Sequence, residues 1–555
     1  MRFRISPQLR NPSPRAGILA SILACLVGLL YFYRGFFFTS FGLAQGNYFD
    51  GRLTQTIALH WARPFQFGDF NNLGIFFPFD RALMYSDTFL LFGPSVALLS
   101  VAGASGSVAF QSTLIIVTAV GFFSLIALFR LLRCGWWLSI TGAAVAIFSN
   151  GMLIASAHPQ LITVHLVPVC ILFGLLALRS NHQSSQFLFS ASLCCLTGLI
   201  LYSAFYVGWT IILSGVVFLF VMFVFAWRAT TQFFRSRISL AHLVGIVVGL
   251  TLPLILTMYT YLPLLLSGTE RSLDDAAGFA LQPKDLLGVS PTNILWSPVF
   301  TRTLAPIRDE EFAMSPTPFL LIASLLLFVW ALRQDRRSNR IHILGLSLLV
   351  TGFVFWLLPV RWGSVLPWAV VYEIPGASAI RAIGRVEIVS GLFLVLGATL
   401  LASQLMRNAG RRTLGLISIG VVLIVLEQAN HRVQQNVDVA EMTSLQSTPT
   451  PDLLCRSFFI SPPLDARKVH EYQIDPALDS GITAGITAQV VAQATGIPSL
   501  NGYSGGSPSE WPLTKYEIID PNEYQARLNA YIKEQSLTDV CGFSPATSRW
   551  VLYRE

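Results

Sequence analysis

The sequence predicts a polytopic α-helical membrane protein of about eleven transmembrane helices with a small C-terminal α/β domain. Of its 555 residues, 53% are hydrophobic and only 12% are charged, whereas soluble domains carry roughly 25% charged residues. Its mean hydropathy is +0.60. Apolar runs of about 20 residues, the length that crosses a bilayer, recur through residues 1–430. An aromatic content of 12% suits lipid-facing helices with interfacial belts.

The apolar runs mark out the predicted spans. They are residues 16–34, 107–129, 136–157, 161–178, 187–207, 209–227, 239–262, 317–332, 341–360, 386–406 and 413–430. Residues 88–103 are also apolar but short, with Pro94 inside, so we expect a helix in the outer interface; the alternative is a twelfth span. The first run has a basic leader like a signal peptide, but no Ala-x-Ala site follows, which favours an uncleaved anchor.

The basic residues orient the chain, because cytoplasmic loops are enriched in Lys and Arg. With a cytoplasmic N-terminus, the inner segments are 1–15, 130–135, 179–186, 228–238, 333–340 and 407–412. These six hold 17 of the 37 basic residues and one of the 29 acids, Asp335. A twelfth span would put Arg130 and Arg133 outside. The net charge of +8 therefore indicates a topology and not a nucleic-acid partner.

This topology divides the chain into two predicted domains. Residues 1–430 form the transmembrane domain, with outer loops at 35–106, 263–316 and 361–385, and residues 431–555 form an extracytoplasmic α/β domain. In the second domain we expect strands at Ser457–Ser461 and Trp550–Tyr553 and helices at Thr483–Ala494 and Pro521–Glu534. Pro521 suits a first helical position, where its missing N–H costs nothing.

The cysteines agree with this map. Cys455 and Cys541 are the two cysteines of the outer domain, and the other five lie in or beside spans or on the inner side. An oxidising compartment favours a Cys455–Cys541 disulfide, with two buried thiols as the alternative. No Cys/His spacing matches a zinc site, so we expect no structural metal.

The distribution of charge also bears on function. No Gly-x-x-x-x-Gly-Lys-Ser/Thr loop occurs and the inner loops are short, which argues against a nucleotide-driven transporter. The span middles carry no charged residue, although ion-coupled carriers commonly need one there. The charges near the membrane lie at the predicted outer ends of the spans. A site at the outer surface fits a transferase whose activated donor is carried by lipid, such as a polyprenyl-phosphate sugar.

Such a transfer needs a carboxylate base, cations for the phosphate and an apolar groove for the prenyl chain. A series of short motifs follows the chain in order. They are Gly46–Leu53, Phe76–Phe79, Tyr85–Asp87, His158–Gln160, Glu311–Phe312, Ile374–Arg385 and Asn501–Gly505. With a first span and an acidic motif early in the first outer loop, this series resembles the GT-C fold integral-membrane glycosyltransferases, in the YfhO-like and protein-mannosyltransferase-like bacterial branch.

The resemblance implies that Asp50, early in the first outer loop, is the catalytic base. Many of these enzymes have an Asp-x-Asp motif or paired acids there, but this chain has Arg52 at the second position. The resemblance therefore implies a lone carboxylate and favours a mechanism without a divalent metal or other cofactor. The structural alternative is a solvated Asp50 paired with Arg52.

Five further residues are candidate substrate contacts beside Arg52. Arg381 and Arg385 are four apart, would share a helix face and suit phosphate; the alternative is two interfacial anchors. His158 follows a span, and either binds substrate or ends the helix. His60 could line the same cavity as Asp50. Asp87 either contacts substrate or, with Ser86, caps the interfacial helix.

Two other features are expected to be structural. Glu427 sits near the outer end of the eleventh run, where an acid needs a partner, and Arg432 is close in sequence. The stretch Asn501–Gly506 is glycine-rich but does not join a strand to a helix, so it is a poor phosphate loop. We expect an ordinary turn, with display of Tyr503 and Trp511 over the membrane-facing cavity as the alternative.

The sequence thus predicts a glycosyltransferase of the hexosyltransferase class. It would move a sugar from a polyprenyl-phosphate donor to an extracytoplasmic glycan, lipid or protein of the cell envelope. The alternative is a non-catalytic protein of the same scaffold that binds or moves lipid-linked saccharides or assists envelope assembly. The resemblance implies a bacterial inner membrane, with the C-terminal domain in the periplasm or outside the cell.

Overall fold

The computed structural model describes residues 13–267, 271–299, 312–334, 340–407, 409–452, 454–460, 476–513 and 521–553. Several residues used above lie outside these ranges. They are Glu311 of the fifth motif, Asp335, and Arg2, Arg4, Arg10, Arg336 and Arg337 of the inner segments 1–15 and 333–340. Within the described ranges, nine helices are long and apolar enough to cross a membrane. The protein is therefore an integral membrane protein of mainly helical structure.

The described chain forms twenty α-helices. They are α1 (Pro14–Phe32), α2 (Arg34–Phe38), α3 (Asp50–His60), α4 (Gly93–Val101), α5 (Gly106–Leu131), α6 (Trp136–Ile147), α7 (Asn150–Ala155), α8 (Val167–Arg179), α9 (Gln183–Ser203), α10 (Phe205–Arg237), α11 (Leu240–Leu266), α12 (Leu273–Gly278), α13 (Pro318–Leu332), α14 (Arg340–Leu357), α15 (Trp368–Tyr372), α16 (Glu387–Arg407), α17 (Arg411–Leu426), α18 (Val439–Gln446), α19 (Pro476–Thr495) and α20 (Pro521–Glu534).

Five strands and five 3₁₀ helices complete the described elements. The strands are β1 (Leu43–Ala44), β2 (Val437–Asp438), β3 (Ser457–Phe459), β4 (Val540–Ser544) and β5 (Arg549–Leu552). The 3₁₀ helices are Ala82–Tyr85, Pro159–Leu166, Pro283–Leu287, Ala377–Ala379 and Ile383–Val386.

Each of the eleven predicted runs coincides with a helix or with a helix and the short turn that continues it. Nine meet the length of a span, and the other two are the shorter α13 and α17, of 15 and 16 residues. The helix α4 has nine residues and is about 14 Å long at 1.5 Å per residue. It is too short to cross a bilayer, which matches an interfacial helix and not a twelfth span.

The central helix of the bundle is α16. The span that contains it, Ile383–Arg407, is 89% buried, whereas Leu240–Leu266 is only 22% buried. Glycines let α16 approach α14 closely: a Cβ added to Gly397 would lie 2.8 Å from the Gly345 carbonyl oxygen. Small residues at such contacts are typical of membrane helix pairs. Because α16 is fixed on all sides, the residues just before it, including Arg385, occupy a defined position.

Arginines of the predicted inner segments lie together at one end of the bundle. The Arg179 guanidinium donates to the Leu131 carbonyl at 3.1 Å, and the Arg407 guanidinium donates to the Arg133 carbonyl at 3.0 Å. These contacts join α5, α8 and α16 at the ends opposite to the loop that carries Asp50. We call the Asp50 end the outer end, following the predicted topology.

At the outer end, the chain that follows α2 pairs with the chain that follows α17. Strand β1 is antiparallel to β2, and Gly46 continues the contact by bridging Gln435. Gly46 has a φ of +114°, which favours glycine. A Cβ on Gly51 would lie 2.5 Å from Val437 and 2.9 Å from the Gly46 Cα. The start of α3 is therefore held against residues nearly four hundred positions away.

The C-terminal region carries a small three-stranded sheet. Strand β4 is central, parallel to β3 and antiparallel to β5. Cys455 and Cys541, the pair expected from the sequence, form a disulfide that links the start of β3 to β4. Helix α20 begins at Pro521, and α19 begins seven residues before its expected start at Thr483. Ser461 of the first predicted strand lies outside the described residues.

We predict that Gly51→Ala lowers the stability of the protein, because the new methyl group overlaps Val437 and the Gly46 backbone. Overpacking of this kind costs about 1–3 kcal/mol, which would appear as a lower midpoint in a thermal unfolding scan of the purified protein. The matched control is Gly278→Ala, because a Cβ there meets nothing within 4 Å. Equal midpoints for the two variants would contradict the close packing described.

Candidate functional site

The side chain of Asn47 sets the start of α3. Its amide oxygen accepts a hydrogen bond of 2.6 Å from the Asp50 backbone N–H, and the backbone N–H of Asn47 donates to the Ala157 carbonyl at 2.8 Å. Asn47 therefore caps α3 and ties it to the residue before His158. Asp50 occupies the first turn of the helix, where the helix dipole stabilises a negative charge.

Asp50 and His158 are in direct contact. The Asp50 Oδ2 lies 2.5 Å from the His158 Nδ1. The Asp50 side chain is 24% exposed, whereas that of His158 is 7% exposed. The carboxylate can thus be reached by a second molecule, while the imidazole behind it is held within the protein.

The other ring nitrogen of His158 faces Arg385. The Arg385 Nη2 lies 3.0 Å from His158 Nε2. A guanidinium can only donate hydrogen bonds, so Nε2 must accept. The proton of the neutral imidazole then belongs on Nδ1, which faces the carboxylate. Asp50, His158 and Arg385 form one continuous chain from carboxylate to cation, which we call the outer triad.

Tyr206, in the first turn of α10, holds the segment that carries the two predicted phosphate-binding arginines. Its hydroxyl oxygen accepts from the Arg381 N–H at 2.6 Å and from the Ala382 N–H at 2.8 Å. Its ring lies 5.5 Å from the Arg385 guanidinium, within the range of a cation–π contact. One side chain therefore fixes the backbone beside Arg381 and the position of the Arg385 side chain.

The prediction that Arg381 and Arg385 share a helix face is wrong. Arg381 lies between the 3₁₀ helices Ala377–Ala379 and Ile383–Val386, and Arg385 lies in the second of them. The exposed Arg381 guanidinium stacks 5.0 Å from the Phe279 ring. The spacing of four residues does not place the two side chains on one helix face, because α16 begins at Glu387, after both of them. Tyr206, and not a shared helix, is what relates the two cations.

Asp87 caps a different helix from the one expected. The interfacial helix α4 begins at Gly93, and Phe92 precedes it without a side-chain cap. The Asp87 Oδ1 instead accepts a hydrogen bond of 2.7 Å from the N–H of Phe205, the first residue of α10. Burial raises the pKa of Asp87 to about 6, against the opposing charges of Arg385 and Arg271. Asp87 thus shares the electrostatic environment of the outer triad.

Arg52, a predicted substrate contact, is buried at the junction with the C-terminal region. Its guanidinium lies 3.5 Å from the Glu441 carboxylate, donates to the Thr487 hydroxyl at 3.1 Å and stacks 4.9 Å from the Tyr48 ring. Residues two apart on a helix do not face each other, so Arg52 points away from Asp50. The expected Asp50–Arg52 pair is replaced by Arg52–Glu441 and Asp50–His158.

His60 lies at the far end of α3 from Asp50, about 15 Å away at 1.5 Å per residue. It is fully buried, with its Nε2 2.8 Å from the Phe70 carbonyl oxygen and its Nδ1 3.4 Å from the Gln493 amide. Burial lowers the pKa of His60. The expectation that His60 lines the Asp50 cavity fails, because a full helix length separates the two side chains.

Glu427 does not pair with Arg432. Its carboxylate accepts hydrogen bonds from the N–H groups of Phe319 and Leu320, at 2.8 and 2.9 Å, and from the Thr317 hydroxyl. Trp296 also donates to it at 3.1 Å. Glu427 therefore caps the N-terminus of α13, where four backbone N–H groups lack partners within the helix. The expected pairing with Arg432 does not form, because the backbone N–H groups at the start of α13 supply the hydrogen-bond donors that the carboxylate needs.

The glycine-rich stretch Asn501–Gly506 packs against the first outer loop. The Ser504 hydroxyl donates to the Tyr85 carbonyl at 2.9 Å, and Arg271 donates to the Gly505 carbonyl at 3.0 Å. Trp511 is buried and donates to the Leu500 carbonyl at 2.9 Å. The stretch acts as a structural turn, and Trp511 is not displayed over a cavity.

Asp50 belongs to the outer triad, and Asp87 is a second carboxylate in the same electrostatic environment. In the described ranges no group of three or more His, Cys, Asp or Glu side chains is arranged to hold a metal ion. Two carboxylates leave most positions of a divalent ion to water or substrate, as Mg²⁺ commonly accepts. Independence from metal stays a prediction.

Sequence reasoning missed three residues of this site. Asn47 caps α3, Tyr206 positions the arginine segment, and Arg271 links that segment to the C-terminal region by donating to Ala379 at 3.1 Å as well as to Gly505. Asn47 had a usable signal, because an Asn three residues before Asp50 is a typical helix cap. Tyr206 and Arg271 have no local sequence signal, since their hydrogen-bond partners lie more than a hundred residues away.

No protein-family model matches the chain, and no curated protein matches it. Among solved structures, the chain is similar to the crystal structure of the Archaeoglobus fulgidus oligosaccharyltransferase in complex with Zn and sulfate. The two share 11% sequence identity with a TM-score of 0.42, over 87% of this chain and 62% of that chain. The chain thus spans less than two thirds of that protein's length. A likeness of this size supports no conclusion about activity.

We predict that Asp87 makes unfolding pH-dependent between about pH 4 and pH 6. Its folded pKa of about 6 lies above the ordinary value of 3.8, so the folded state binds more protons in this window and the contribution of Asp87 to stability falls as pH rises. Asp87→Asn keeps the acceptor for Phe205 and removes the titration. The difference in unfolding midpoint, variant minus parent, should grow from pH 4 to pH 7; a constant difference would contradict the raised pKa.

Proposed function

We propose that this protein is a glycosyltransferase that moves a sugar from a polyprenyl-phosphate-linked donor to a hydroxyl acceptor on the outer side of the membrane. The observation that carries the proposal is the contact chain Asp50–His158–Arg385. It combines a reachable carboxylate with a cation at the end of the membrane-spanning bundle. These are the two groups that such a transfer needs, and they come from segments more than 300 residues apart.

Asp50 is the general base in this mechanism. Its carboxylate takes the proton of the acceptor hydroxyl as the oxygen attacks the anomeric carbon. His158 donates its Nδ1–H to the same carboxylate, which holds Asp50 in one orientation. The distance of 2.5 Å between Asp50 and His158 supports this role. A positioned base of this kind contributes about 10²- to 10⁴-fold to a rate.

Arg385 and Arg381 hold the phosphate of the donor. As the acceptor oxygen bonds to the anomeric carbon, the bond from that carbon to the phosphate oxygen breaks, and polyprenyl phosphate leaves with the electron pair. The guanidinium groups stabilise the negative charge on the leaving group. Attack on one face and departure from the other invert the anomeric carbon. The proton ends on Asp50, and no further reactant is consumed.

The role of Arg381 and Arg385 is supported by what surrounds them. Arg385 lies against His158 and the Tyr206 ring, and its charge opposes the rise in the pKa of Asp87. Arg381 is exposed and stacks on Phe279, so its guanidinium is accessible to a donor arriving at the surface. One partly buried and one exposed cation suit a phosphate that sits between protein and water.

We predict that Asp50→Asn lowers sugar transfer by about 10²- to 10⁴-fold, because Asn keeps the shape of the side chain but cannot take a proton. The measurement is transfer from a radiolabelled polyprenyl-phosphate sugar by the purified protein in lipid nanodiscs. Addition of a chelator tests the metal-independent form of the mechanism, for which the rate is unchanged.

The matched control for this variant is Asp80→Asn. Asp80 is an exposed carboxylate of the same outer loop, paired with the Asn72 amide at 2.9 Å. It should leave transfer at the parental rate. Equal transfer by the parent and Asp50→Asn would remove Asp50 from the mechanism, and absence of transfer with every donor tried would favour the non-catalytic alternative.

We predict that Arg385→Gln lowers kcat by about a hundredfold, the cost of removing one group that stabilises charge in a transition state. Gln can still donate to His158 Nε2 but carries no charge for the leaving phosphate. Arg361→Gln is the control, because Arg361 lies exposed in the same outer loop and donates to Gly363. An unchanged kcat for Arg385→Gln would assign Arg385 to packing alone.

A further inference from the structure

Three arginine side chains meet at the inner end of α5, opposite to the outer end. Arg130, Arg179 and Arg407, at the ends of α5, α8 and α16, each donate a hydrogen bond to a backbone carbonyl of residues 131–134. Four residues of extended chain span at most about 14 Å, so the three guanidinium groups surround one short turn of backbone. We call Arg130, Arg179 and Arg407 the inner arginine cluster.

Capping of the helix end accounts for only part of the hydrogen-bonding capacity of the cluster. Basic side chains near a helix C-terminus commonly donate to its last carbonyls. A guanidinium carries five N–H groups, and each of these carbonyl contacts uses one of them. Arg179 and Arg407 are exposed, and the exposed Arg133 adds a fourth positive charge to the same turn. The cluster therefore presents donors and charge that a further, negatively charged acceptor can use.

Carboxylates do not balance this charge within the described part of the chain. The six inner segments hold one acid, Asp335, which lies outside the described ranges. Among the described residues, no ion pair includes an arginine of the cluster. Burial raises the pKa of the Cys134 thiol in the same turn, and the positive charges of Arg407 and Arg130 oppose this rise. The positive potential of the turn thus acts on the groups around it and favours the binding of an anion.

The cluster lies at the depth of lipid headgroups. Helix α5 has 26 residues and is about 39 Å long at 1.5 Å per residue, whereas the hydrocarbon core is about 30 Å thick. The Arg130 guanidinium stacks on the Trp136 ring, 4.6 Å from its centroid, and the neighbouring Trp137 is exposed. Tryptophans are enriched at the membrane–water interface. The last turn of α5 therefore belongs to the interface and not to the bulk solvent.

An apolar stripe of α5 leads from the hydrocarbon to the cluster. Ile116, Val120 and Phe123 are exposed on one face of the helix, at spacings of four and three residues. Ala127, which is also exposed, and Arg130 continue the same spacing. Exposed aliphatic side chains on a membrane-spanning helix contact lipid tails. The cluster at the end of this stripe matches the order of a headgroup and an acyl chain in one phospholipid.

We propose that the inner arginine cluster binds the headgroup of an anionic phospholipid in the leaflet at this end of the bundle. The phosphate accepts hydrogen bonds from the guanidinium groups, whose planar donor geometry suits phosphate oxygens, and an acyl chain lies along the stripe of α5. A zwitterionic phospholipid brings its own cation, which the arginines repel, whereas a lipid with a net negative charge brings none. Basic pockets between membrane helices take anionic headgroups for this reason.

The lipid site is independent of the proposed sugar transfer. It lies at the opposite end of the bundle from the outer triad and involves neither Asp50 nor Arg385. A lipid bound there contacts the ends of three helices at once. It therefore stabilises the folded protein, because the unfolded chain does not assemble these arginines.

The test uses the full chain in phosphatidylcholine nanodiscs that contain a small fraction of one of two photoreactive probes. One probe is phosphatidylglycerol and the other is phosphatidylcholine, each with a diazirine in an acyl chain. Mass spectrometry of the labelled peptides locates the probe. We expect phosphatidylglycerol to label the stripe of α5 at least about fivefold more than phosphatidylcholine, because each arginine near an anionic headgroup contributes about that factor.

Arg407→Gln should lower the phosphatidylglycerol labelling about fivefold and leave the phosphatidylcholine labelling unchanged. Gln keeps a donor for the Arg133 carbonyl and removes the charge. Arg179→Gln removes a charge from a different helix, so the test survives if one variant fails to fold. The matched control is Arg340→Gln, because Arg340 is exposed at the start of α14, at the same end of the bundle, and is not part of the cluster. It should leave labelling by both probes at the parental level.

Two results would overturn the proposal. Equal labelling by the two probes would show that the cluster does not select a headgroup. An equal loss with Arg340→Gln and with Arg407→Gln would assign the effect to the general positive charge of this face. Excess inorganic phosphate at fixed ionic strength should not compete, and loss of phosphatidylglycerol labelling under that competition would assign the cluster to a free anion and reject the lipid.

Thermal unfolding in the two lipids gives a second measurement. The parent should unfold at a higher temperature in nanodiscs of phosphatidylglycerol than in those of phosphatidylcholine, and Arg407→Gln should lose most of this difference. An equal difference in the parent and in Arg407→Gln would contradict a lipid bound at the cluster. Neither measurement needs a sugar donor, so failure of the lipid site and failure of the transferase proposal are distinguishable.

Discussion

The pairing of β1 with β2 is the contact on which the outer end of the protein depends. It brings the first outer loop against the chain that leaves the last span. It needs Gly46 and Gly51, because a Cβ on Gly46 would overlap Gly51 and a Cβ on Gly51 would overlap Val437. Gln45, fully within this junction, donates to Ser156 and to the Gln434 carbonyl. These contacts fix the position at which α3 begins, and at that position Asp50 contacts His158.

The outer triad joins parts of the chain that fold as separate elements. Asp50 starts α3, His158 follows α7 and Arg385 precedes α16. The flanking backbone is held by hydrogen bonds: Asn47 fixes the start of α3 to Ala157, and the Tyr206 hydroxyl fixes the segment before α16. The three side chains are thus positioned by contacts of the protein itself, as the proposed transfer requires of preorganised groups. Asp87 and Arg271 extend the same network to α10 and to the C-terminal region.

The bundle combines a rigid part and a loosely packed part. Close glycine contacts fix α14 against α16, whereas α17 has no buried residue. In a bilayer this difference has a physical reason, because helices gain little from excluding lipid and associate only where their surfaces fit. A helix whose surface fits its neighbours poorly therefore keeps its side chains in contact with lipid.

The sequence by itself determined where the apolar helices lie, because a run of apolar residues must reach across a fixed thickness of hydrocarbon; of the eleven predicted spans, nine are long enough among the described residues. It also indicated the Cys455–Cys541 pair and the candidate residues Asp50, His158 and Arg385. The tertiary structure decided which partners these residues have. Arg52 pairs with Glu441 and not with Asp50, Asp87 caps α10, and Glu427 caps α13. Charged and polar groups find partners by spatial proximity, and proximity across hundreds of residues leaves no trace in local spacing.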